Sequence, residues 1–346
     1  MKQVLITNEK PYYKANLHCH TTFSDGKFTP EEIKAAYKEK GYHVVAFTDH
    51  EYLLSHNDLT DDEFIAITSY ELSITEEKTR ERTYNYLKTY HLNLYAKDPN
   101  NTCHIAFNPD DPYLCNNLKK QGVDPHSLNY KPPIETRSYS LEYANHVIKL
   151  ANESGFLVCY NHPQWSLQDL NEFTGLEGLW GMEIYNSGSA MQNCGFAPYE
   201  WKQMVRAGKH LVCVAADDNH GEKEQGIGYT MIAADEFSYD GIIRAMEQKK
   251  TYASTGATFH ELFYEDGLLT IKCSPVNRVF VLTDTRTAFS KNETDDILTE
   301  ITFDLSTQFH AMNCFYVMVM TKEGKMACTN VYRLLRKENG TYEISL

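Results

Sequence analysis

The stretch that decides the fold of this chain is Asn16-Leu17-His18-Cys19-His20-Thr21-Thr22-Phe23-Ser24-Asp25-Gly26. If Leu17 to His20 ends a strand, His18 and His20 share one face, because successive side chains of a strand point to opposite faces. Both imidazoles can then hold one ion, and Asp25 can bend back over it. This set of imidazoles and a carboxylate predicts a site for Zn, Mn or Fe.

The histidine pair alone does not establish a metal site. The chain has 346 residues and 14 histidines. One such pair is expected about 0.6 times by chance, and motif matches carry this false-positive risk. Two ordinary strand histidines are therefore the alternative interpretation, and the rest of the chain decides between the two.

Strand-like and helix-like segments alternate up to about Gly256. Thr29-Pro30-Glu31-Glu32 is typical of a helix start, with threonine as the N-cap and proline at the first helical position, and Gly41 ends this helix. Further helices are predicted at 138–154, 199–207 and 239–249. Strands are predicted at 4–7, 14–20, 43–47, 64–68, 84–95, 156–160, 181–185, 211–216 and 229–233. The alternation favours parallel β/α units and a closed barrel, whose functional residues lie at the carboxyl ends of the strands.

The pattern changes after Gly256, where the helical period is lost. Short β-type runs follow at 268–273, 279–283, 300–305, 315–320, 329–334 and 341–345, separated by turn signals such as Asp266-Gly267. The predicted fold class is therefore α/β, with a β/α barrel at 1–256 and a small all-β, sandwich-like domain at 257–346.

Composition limits the class of protein. The formal net charge is −14, which disfavours long nucleic acid as a partner, because a polyanionic backbone needs clustered Lys and Arg. The nine cysteines are scattered, which is typical of buried thiols in a reducing compartment. No signal peptide and no apolar run long enough for a membrane span is visible. We expect a cytoplasmic protein, and the oligomeric state stays open.

Ionisable residues recur at the predicted strand ends. A single one of them is more often a satisfied or capping residue than a ligand. If all converge on one face, divalent cations resolve the cost of bringing them together, since such ions are held by neutral histidines and ionised carboxylates. The set consists of His18, His20, Asp25, His50, Glu71, His91, His162, Asp218 and His220.

This ordered set resembles the PHP (polymerase and histidinol phosphatase) superfamily of metal-dependent phosphoesterases. The matching motifs are His18-x-His20, Ser24-Asp25-Gly26, Thr48-Asp49-His50, Glu71, His91, Asn161-His162-Pro163 and Asp218-Asn219-His220. The resemblance implies a distorted seven-stranded β/α barrel with two or three divalent metal ions. It implies one ion at His18, His20, Glu71 and Asp218, a second at Asp25, His50 and His220, and a third at Glu71, His91 and His162, with Glu71 bridging. His104 is a second candidate for the position of His91.

Other polar residues are weaker candidates for the site. Asp49 and Asp217 could orient ligand imidazoles, with a strand-end cap as the alternative. Asn161, Tyr185 and Asn186 could contact substrate, with structural hydrogen bonding as the favoured alternative. One of Arg80, Arg82 and Arg137 could bind a phosphate, with a solvated surface charge as the alternative for each. The long segment 97–137 is predicted to form a lid or wall over the metal face.

The predicted activity is metal-dependent hydrolysis of a phosphate ester by a metal-activated hydroxide, with Glu71, Asp218 and His220 as the catalytic residues. A small phosphomonoester is the first substrate class. The alternative is a phosphodiesterase or nuclease that acts on nucleotides or oligonucleotide ends. A third interpretation is a non-catalytic metal-binding module whose β domain provides the binding surface.

Overall fold

The computed structural model describes residues 2–79, 81–338, 340 and 342–346. Its strands are β1 Gln3–Ile6, β2 Tyr12–Asn16, β3 Val44–Phe47, β4 Ile65–Thr75, β5 Thr89–Ala96, β6 Phe156–Tyr160, β7 Gly181–Asn186, β8 Val212–Ala216, β9 Tyr229–Ala233, β10 Thr251–Ser254, β11 Phe259–Glu265, β12 Leu268–Val276, β13 Arg278–Thr283, β14 Ala288–Asn292, β15 Leu298–Asp304, β16 Cys314–Met320, β17 Met326–Thr329, β18 Tyr332–Arg336 and β19 Tyr342–Ser345. Its helices are α1 Pro30–Glu39, α2 Asn116–Lys120, α3 Leu141–Glu153, α4 Leu170–Thr174, α5 Ser187–Ala190, α6 Pro198–Arg206 and α7 Tyr239–Glu247.

The first helix forms as its sequence predicts. Thr29 caps it by accepting from the backbone N–H of Glu32, and the Glu32 side chain accepts from the backbone N–H of Thr29. This reciprocal pair satisfies two N–H groups that a helix start leaves unpaired. Ile33 and Tyr37 are buried on one face, and the chain leaves the helix through Gly41 at a φ of +75°. The helix is thereby fixed between β2 and β3, beside the segment that carries the histidine pair.

Seven strands form one row in the order β2-β3-β4-β5-β6-β7-β8. The segments beyond β2 and β8 meet: the Asp218 N–H donates to the His18 carbonyl at 2.9 Å, and the His20 N–H donates to the Asn219 carbonyl at 3.2 Å. These bonds bring the first and last strands of the row together at one edge, and they place two pairs of candidate ligands side by side. The structure confirms an α/β fold with a C-terminal all-β region.

The prediction of parallel β/α units does not hold for two of the predicted strands, β5 and β9, and β9 pairs antiparallel with β2. Strands β4 and β5 pair antiparallel, as do β5 and β6. The amino end of β5, which carries His91, therefore lies at the same edge as the carboxyl ends of the parallel strands. The carboxyl end of β5 lies at the opposite edge, so the segment 97–137 starts away from the metal face, contrary to the sequence-based expectation.

Two sheets build the C-terminal region. One has the order β1-β11-β12-β15, and the other continues the main sheet through β10, β17, β16, β13 and β14. Alternate side chains of both sheets, among them Leu262, Ile271, Val281 and Val317, form one hydrophobic cluster. This arrangement is sandwich-like, because apolar side chains of two facing sheets form a shared core.

Strand pairing also crosses residue 256. Strand β10 pairs with β17, and the N-terminal strand β1 pairs with β11. The division into a barrel at 1–256 and an accessory domain at 257–346 stays a prediction. All nine cysteines are free thiols and seven are buried. Among the described residues, none of the helices has the length and apolar character needed to cross a membrane.

Candidate metal centre

The structure brings all nine predicted ligands to one edge of the strand row. His18 and His20 follow β2, Asp25 lies in the loop beyond them, and His50 follows β3. Glu71 and His91 lie within β4 and β5, His162 follows β6, and Asp218 and His220 follow β8. Their side chains fall into four overlapping groups whose potential ligand atoms lie within 4.8 Å of one another. The groups are His18/His20/Glu71, His18/His162/Asp218, His50/Glu71/His91 and His20/Asp25/His50/His220.

Glu71 lies at the centre of this cluster and is 1% exposed. Its Oε1 atom is 3.0 Å from His91 Nδ1, 3.2 Å from His162 Nε2 and 3.3 Å from His18 Nε2. Its Oε2 atom is 2.9 Å from His50 Nδ1. Its two oxygens thus face different histidines, as a carboxylate shared by two ions would require.

Two further carboxylates complete the cluster. Asp218 Oδ1 lies 3.0 Å from His20 Nε2 and 3.3 Å from His18 Nε2. Asp25 faces the more exposed side, with its oxygens 3.4 Å from His220 Nε2 and 3.8 Å from His50 Nε2. The inner part of the cluster is therefore buried, and the part around Asp25 opens to the pocket.

The donor set fits divalent cations. Glu71 Oε2 and Asp218 Oδ1 are buried and accept no hydrogen bond, although histidine nitrogens lie about them. The Nε2 atoms of His18 and His20 are 3.2 Å apart and face each other. The ligand atoms therefore point toward common positions between the side chains. A cation at such a position would be bound by oxygens that accept no hydrogen bond within the protein.

Burial and neighbouring charges shift the pKa values of these groups in different directions. Burial lowers the pKa of His20 to about 4, helped by the neighbouring His220 and His50. Burial opposes the charge on His50 and His220 too, but Glu71 raises the pKa of His50 to about 9, and Asp25 and Asp218 raise that of His220 to about 9. Burial would raise the pKa of Glu71, but the surrounding histidines hold it well below its usual range. The carboxylates are thus ionised, as metal ligands must be.

Glu183 is a buried acid that the sequence-based prediction missed. It lies on β7, and its Oε1 atom is 2.8 Å from His18 Nδ1. Its Oε2 atom accepts from the backbone N–H of His162 and from the Asn186 amide, both at 2.9 Å. It therefore orients His18 so that Nε2 faces the cluster, as a carboxylate behind a ligand histidine does. One signal was available, since Glu183 is the only charged residue of the otherwise uncharged strand Gly181–Asn186.

Asp49 and Asp217 lie next to the cluster and contact no ligand imidazole directly. Asp49 accepts from the Thr21 N–H at 2.8 Å and from Ser24 Oγ at 2.6 Å, which fixes the loop before Asp25. Asp217 accepts from the backbone N–H groups of Gly226, Ile227 and Gly228 at 2.6–3.0 Å. Both carboxylates organise loops around the ligands.

The other candidates are spread more widely. Asn161 donates to Glu71 Oε1 at 2.8 Å, so it contacts the central carboxylate. Tyr185 is half-buried on β7. It lines neither the pocket above the candidate ligands nor the second cavity that adjoins this pocket. His104 is buried away from the cluster, where its Nε2 accepts from the Leu53 N–H at 3.1 Å. The cluster therefore contains His91 and does not contain His104, the second candidate for the same ligand position.

Arg137 has a different environment from the one predicted. Its guanidinium is buried and donates to Glu51 Oε1 and the Ser73 carbonyl, each at 2.7 Å, and to the Ala106 carbonyl at 3.0 Å. These partners leave it away from the pocket, so the structure gives no support to phosphate binding at Arg137. Arg82 is bound to Glu76 at 2.7 Å, and Arg80 lies outside the described residues.

A pocket of about 410 Å³ opens above the ligands. Beyond the ligands, Tyr84, Trp165, Met191, Gln192 and Glu224 contribute to its wall. The lining comes from the regions around residues 84, 165 and 188–192 and not, among described residues, from 97–137. That segment instead contacts the loop after β3, because the Asn117 side-chain amide donates to the His50 carbonyl at 3.0 Å.

Comparison with known proteins agrees with this geometry. Residues 16–159 match the family model of the PHP domain. The match confirms the resemblance predicted from the motifs. It contains six of the nine candidate ligands, while His162, Asp218 and His220 lie beyond it. No curated protein matches the chain.

Several solved structures are similar to the chain at low sequence identity and with TM-scores below 0.5. A two-domain protein from Bacteroides vulgatus, described as containing a predicted PHP-like metal-dependent phosphoesterase, is 13% identical, with 95% of this chain and 97% of that chain covered and a TM-score of 0.46. A candidate metal-dependent phosphoesterase from Bifidobacterium adolescentis is 21% identical over 63% of this chain and 91% of its own, with a TM-score of 0.39. A lesion-specific endonuclease from Pyrococcus furiosus is 15% identical over 68% and 56%, with a TM-score of 0.38.

Proposed function

We propose that this protein is a hydrolase that cleaves phosphate esters with the help of divalent metal ions, and that a small phosphomonoester is its substrate. The observation that carries this proposal is the convergence of nine histidine and carboxylate side chains, seven of which line one pocket, with buried carboxylate oxygens that lie beside histidine nitrogens. A non-catalytic metal-binding module has no need of a pocket of about 410 Å³ above its ligands.

The proposed ligand sets are those that the resemblance to the PHP superfamily implies, and they coincide only in part with the four groups of neighbouring ligand atoms. His18, His20, Glu71 and Asp218 would hold one ion, Asp25, His50 and His220 a second, and Glu71, His91 and His162 a third. When bound, such ions polarise phosphoryl oxygens and make water nucleophilic at neutral pH. We infer Mn, Zn or Fe from the imidazole and carboxylate donors.

The pocket wall explains why the ions would be indispensable. Among the described residues, no lysine or arginine lines the pocket, while Asp25, Glu71, Asp218 and Glu224 all do. These four carboxylates outnumber the two pocket histidines, His50 and His220, whose raised pKa values favour a positive charge, so the metal-free pocket would repel a phosphate dianion. Binding of the substrate anion therefore depends on the cations, and we expect no measurable hydrolysis without them.

His220 is placed to transfer a proton. Its side chain is 38% exposed at the pocket, unlike the buried inner histidines, and its Nδ1 atom is 3.1 Å from the Asp218 carbonyl. Its Nε2 atom lies 3.4 Å from Asp25 Oδ1 on the pocket side of the cluster. We propose that His220 either protonates that oxygen or holds an ion, and Glu71 and Asp218 position the reacting groups.

Metal analysis combined with a panel of phosphoesters tests the proposal. Purified protein is assayed by elemental analysis and then with matched monoesters and diesters. We expect two or three ions per chain and phosphate release from monoesters. Preference for diesters would favour the phosphodiesterase or nuclease alternative, and metal binding without hydrolysis of any ester would favour the non-catalytic module.

A further inference from the structure

A second cavity of about 310 Å³ adjoins the metal pocket. Both cavities are lined by Tyr84, Trp165 and Gln192, so the two cavities adjoin at these three side chains. We call the part above the ligands the inner compartment and the part beyond Tyr84 and Trp165 the outer compartment. A molecule whose phosphate reaches the ligands can therefore extend into a second, separate space.

Trp165 forms the wall between the two compartments. Its ring centroid is 5.0 Å from that of His162 and 5.4 Å from that of His91. The ring of Tyr84 lies 6.5 Å from the Trp165 ring at an angle of 55°. Trp165 thus lies beside two of the proposed metal ligands, and Tyr84 lies beside Trp165 on the rim of the same pocket.

The outer compartment is uncharged. Leu87, Leu167 and Cys194 give it apolar surface, and Asn85 and Gln164 add amide groups. None of its described lining residues is charged. The nearby Lys88 is already bound to Asp169 at 2.6 Å and to Glu172 at 2.8 Å. Among the described residues, a second anionic group on the substrate would find no free cation in the lining, whereas a flat uncharged ring would find aromatic and apolar partners.

We propose that the outer compartment binds the alcohol portion of the substrate, and that this portion carries an uncharged planar ring that packs on Trp165 and Tyr84. The inference rests on the proposed phosphoesterase function and adds the substrate class to it. The outer compartment also sets the distance that the substrate must span between its phosphate and its ring. The ring must lie beyond Trp165 and Tyr84 while the phosphate remains at the metal ligands.

Three synthetic esters test the inference without changing the bond that is cleaved. The metal-loaded enzyme is assayed with n-propyl phosphate, 3-cyclohexylpropyl phosphate and 3-phenylpropyl phosphate, which share a primary alkoxide leaving group. Burial of the phenyl ring predicts a kcat/KM about 10- to 100-fold above that of the propyl ester. Aromatic contact predicts a further preference of about 2- to 10-fold over the cyclohexyl ester.

A pair of neighbouring tyrosines provides a matched control. Tyr84 is 42% exposed and lines both compartments, while Tyr86 is 64% exposed and lines neither. We expect Tyr84→Ala to lower the ratio of kcat/KM for the phenylpropyl and propyl esters about 3- to 10-fold, and Tyr86→Ala to leave that ratio unchanged. Trp165 is less suitable for substitution because it contacts His91 and His162.

The outcomes separate this inference from the function on which it rests. Equal kcat/KM for the three esters, or equal effects of Tyr84→Ala and Tyr86→Ala on the ratio, would overturn the ring-binding site while hydrolysis itself supports the phosphoesterase. A phenyl ester no better than the cyclohexyl ester would overturn the planar ring. Failure to hydrolyse any of the three would overturn both proposals.

Discussion

Replacement of Glu71 by glutamine is the substitution with the largest expected effect on metal binding. Glutamine keeps the size of the side chain and removes its charge. Glu71 belongs to two of the four ligand groups, and its oxygens lie within 2.9–3.6 Å of nitrogens of five histidines. The substitution therefore affects two ion positions at once, whereas Asp25 belongs to one group only.

The magnitude follows from the charge that is lost. Two unit charges 4 Å apart interact by about 4 kcal/mol at an effective dielectric constant of 20, which corresponds to nearly three powers of ten in affinity. Removal of a buried charge also relieves part of its desolvation cost. We therefore expect the affinity for each of the two ions to fall by about 100-fold.

Isothermal titration of chelator-treated protein with Mn²⁺, combined with elemental analysis after dialysis, measures this loss. Asp25→Asn is the matched control, for which we expect the loss of about one ion. Circular dichroism of both variants with chelator present checks that the fold is kept. If Glu71→Gln retains full occupancy and wild-type turnover, the assignment of Glu71 as the shared ligand is wrong.

Three further predictions concern the surroundings of the site. Glu183→Gln should weaken metal binding about 10- to 100-fold because His18 loses its orienting carboxylate; unchanged titration curves would show that Glu183 has no such role. Arg137→Met should lower the free energy of unfolding by about 3–5 kcal/mol because it leaves the buried Glu51 without its cationic partner. The double variant with Glu51→Met should regain most of this stability in urea unfolding. Equal stability of the single variant and the wild type would contradict this prediction. Chelation should lower the melting temperature, since ions at 100 times their Kd stabilise the native state by about 2.7 kcal/mol; a melting temperature that does not respond to chelator would argue against bound ions.

The local features of the fold could be predicted because they depend on short-range chemistry. The capping pattern at Thr29 and Glu32 forms as predicted, and helix α3 lies within the predicted range with its apolar face buried. The pairing of His18 with His20 was predicted from a strand that reaches His20; β2 ends at Asn16, but the two Nε2 atoms still face each other at 3.2 Å. Such features need no knowledge of distant contacts.

Long-range pairing could not be predicted in the same way. Nothing in residues 84–95 indicates that β5 runs antiparallel to β4, and this reversal places His91 at the metal edge and moves the start of segment 97–137 to the opposite edge. The pairing of β1 with β11 joins residues more than 250 positions apart. The environment of Arg137 was missed for the same reason, since its partner Glu51 is distant in sequence and its burial depends on the packed loops.

The central claim is that the clustered histidines and carboxylates bind divalent ions that make phosphoester hydrolysis possible. Chelator-treated protein titrated with Mn²⁺, with bound metal and phosphate release measured on the same samples, tests it most directly. We predict no phosphate release before addition of metal and a rise that reaches its plateau at two or three bound ions per chain. Full phosphate release by the metal-free protein, or full occupancy without release from any ester, would contradict the claim.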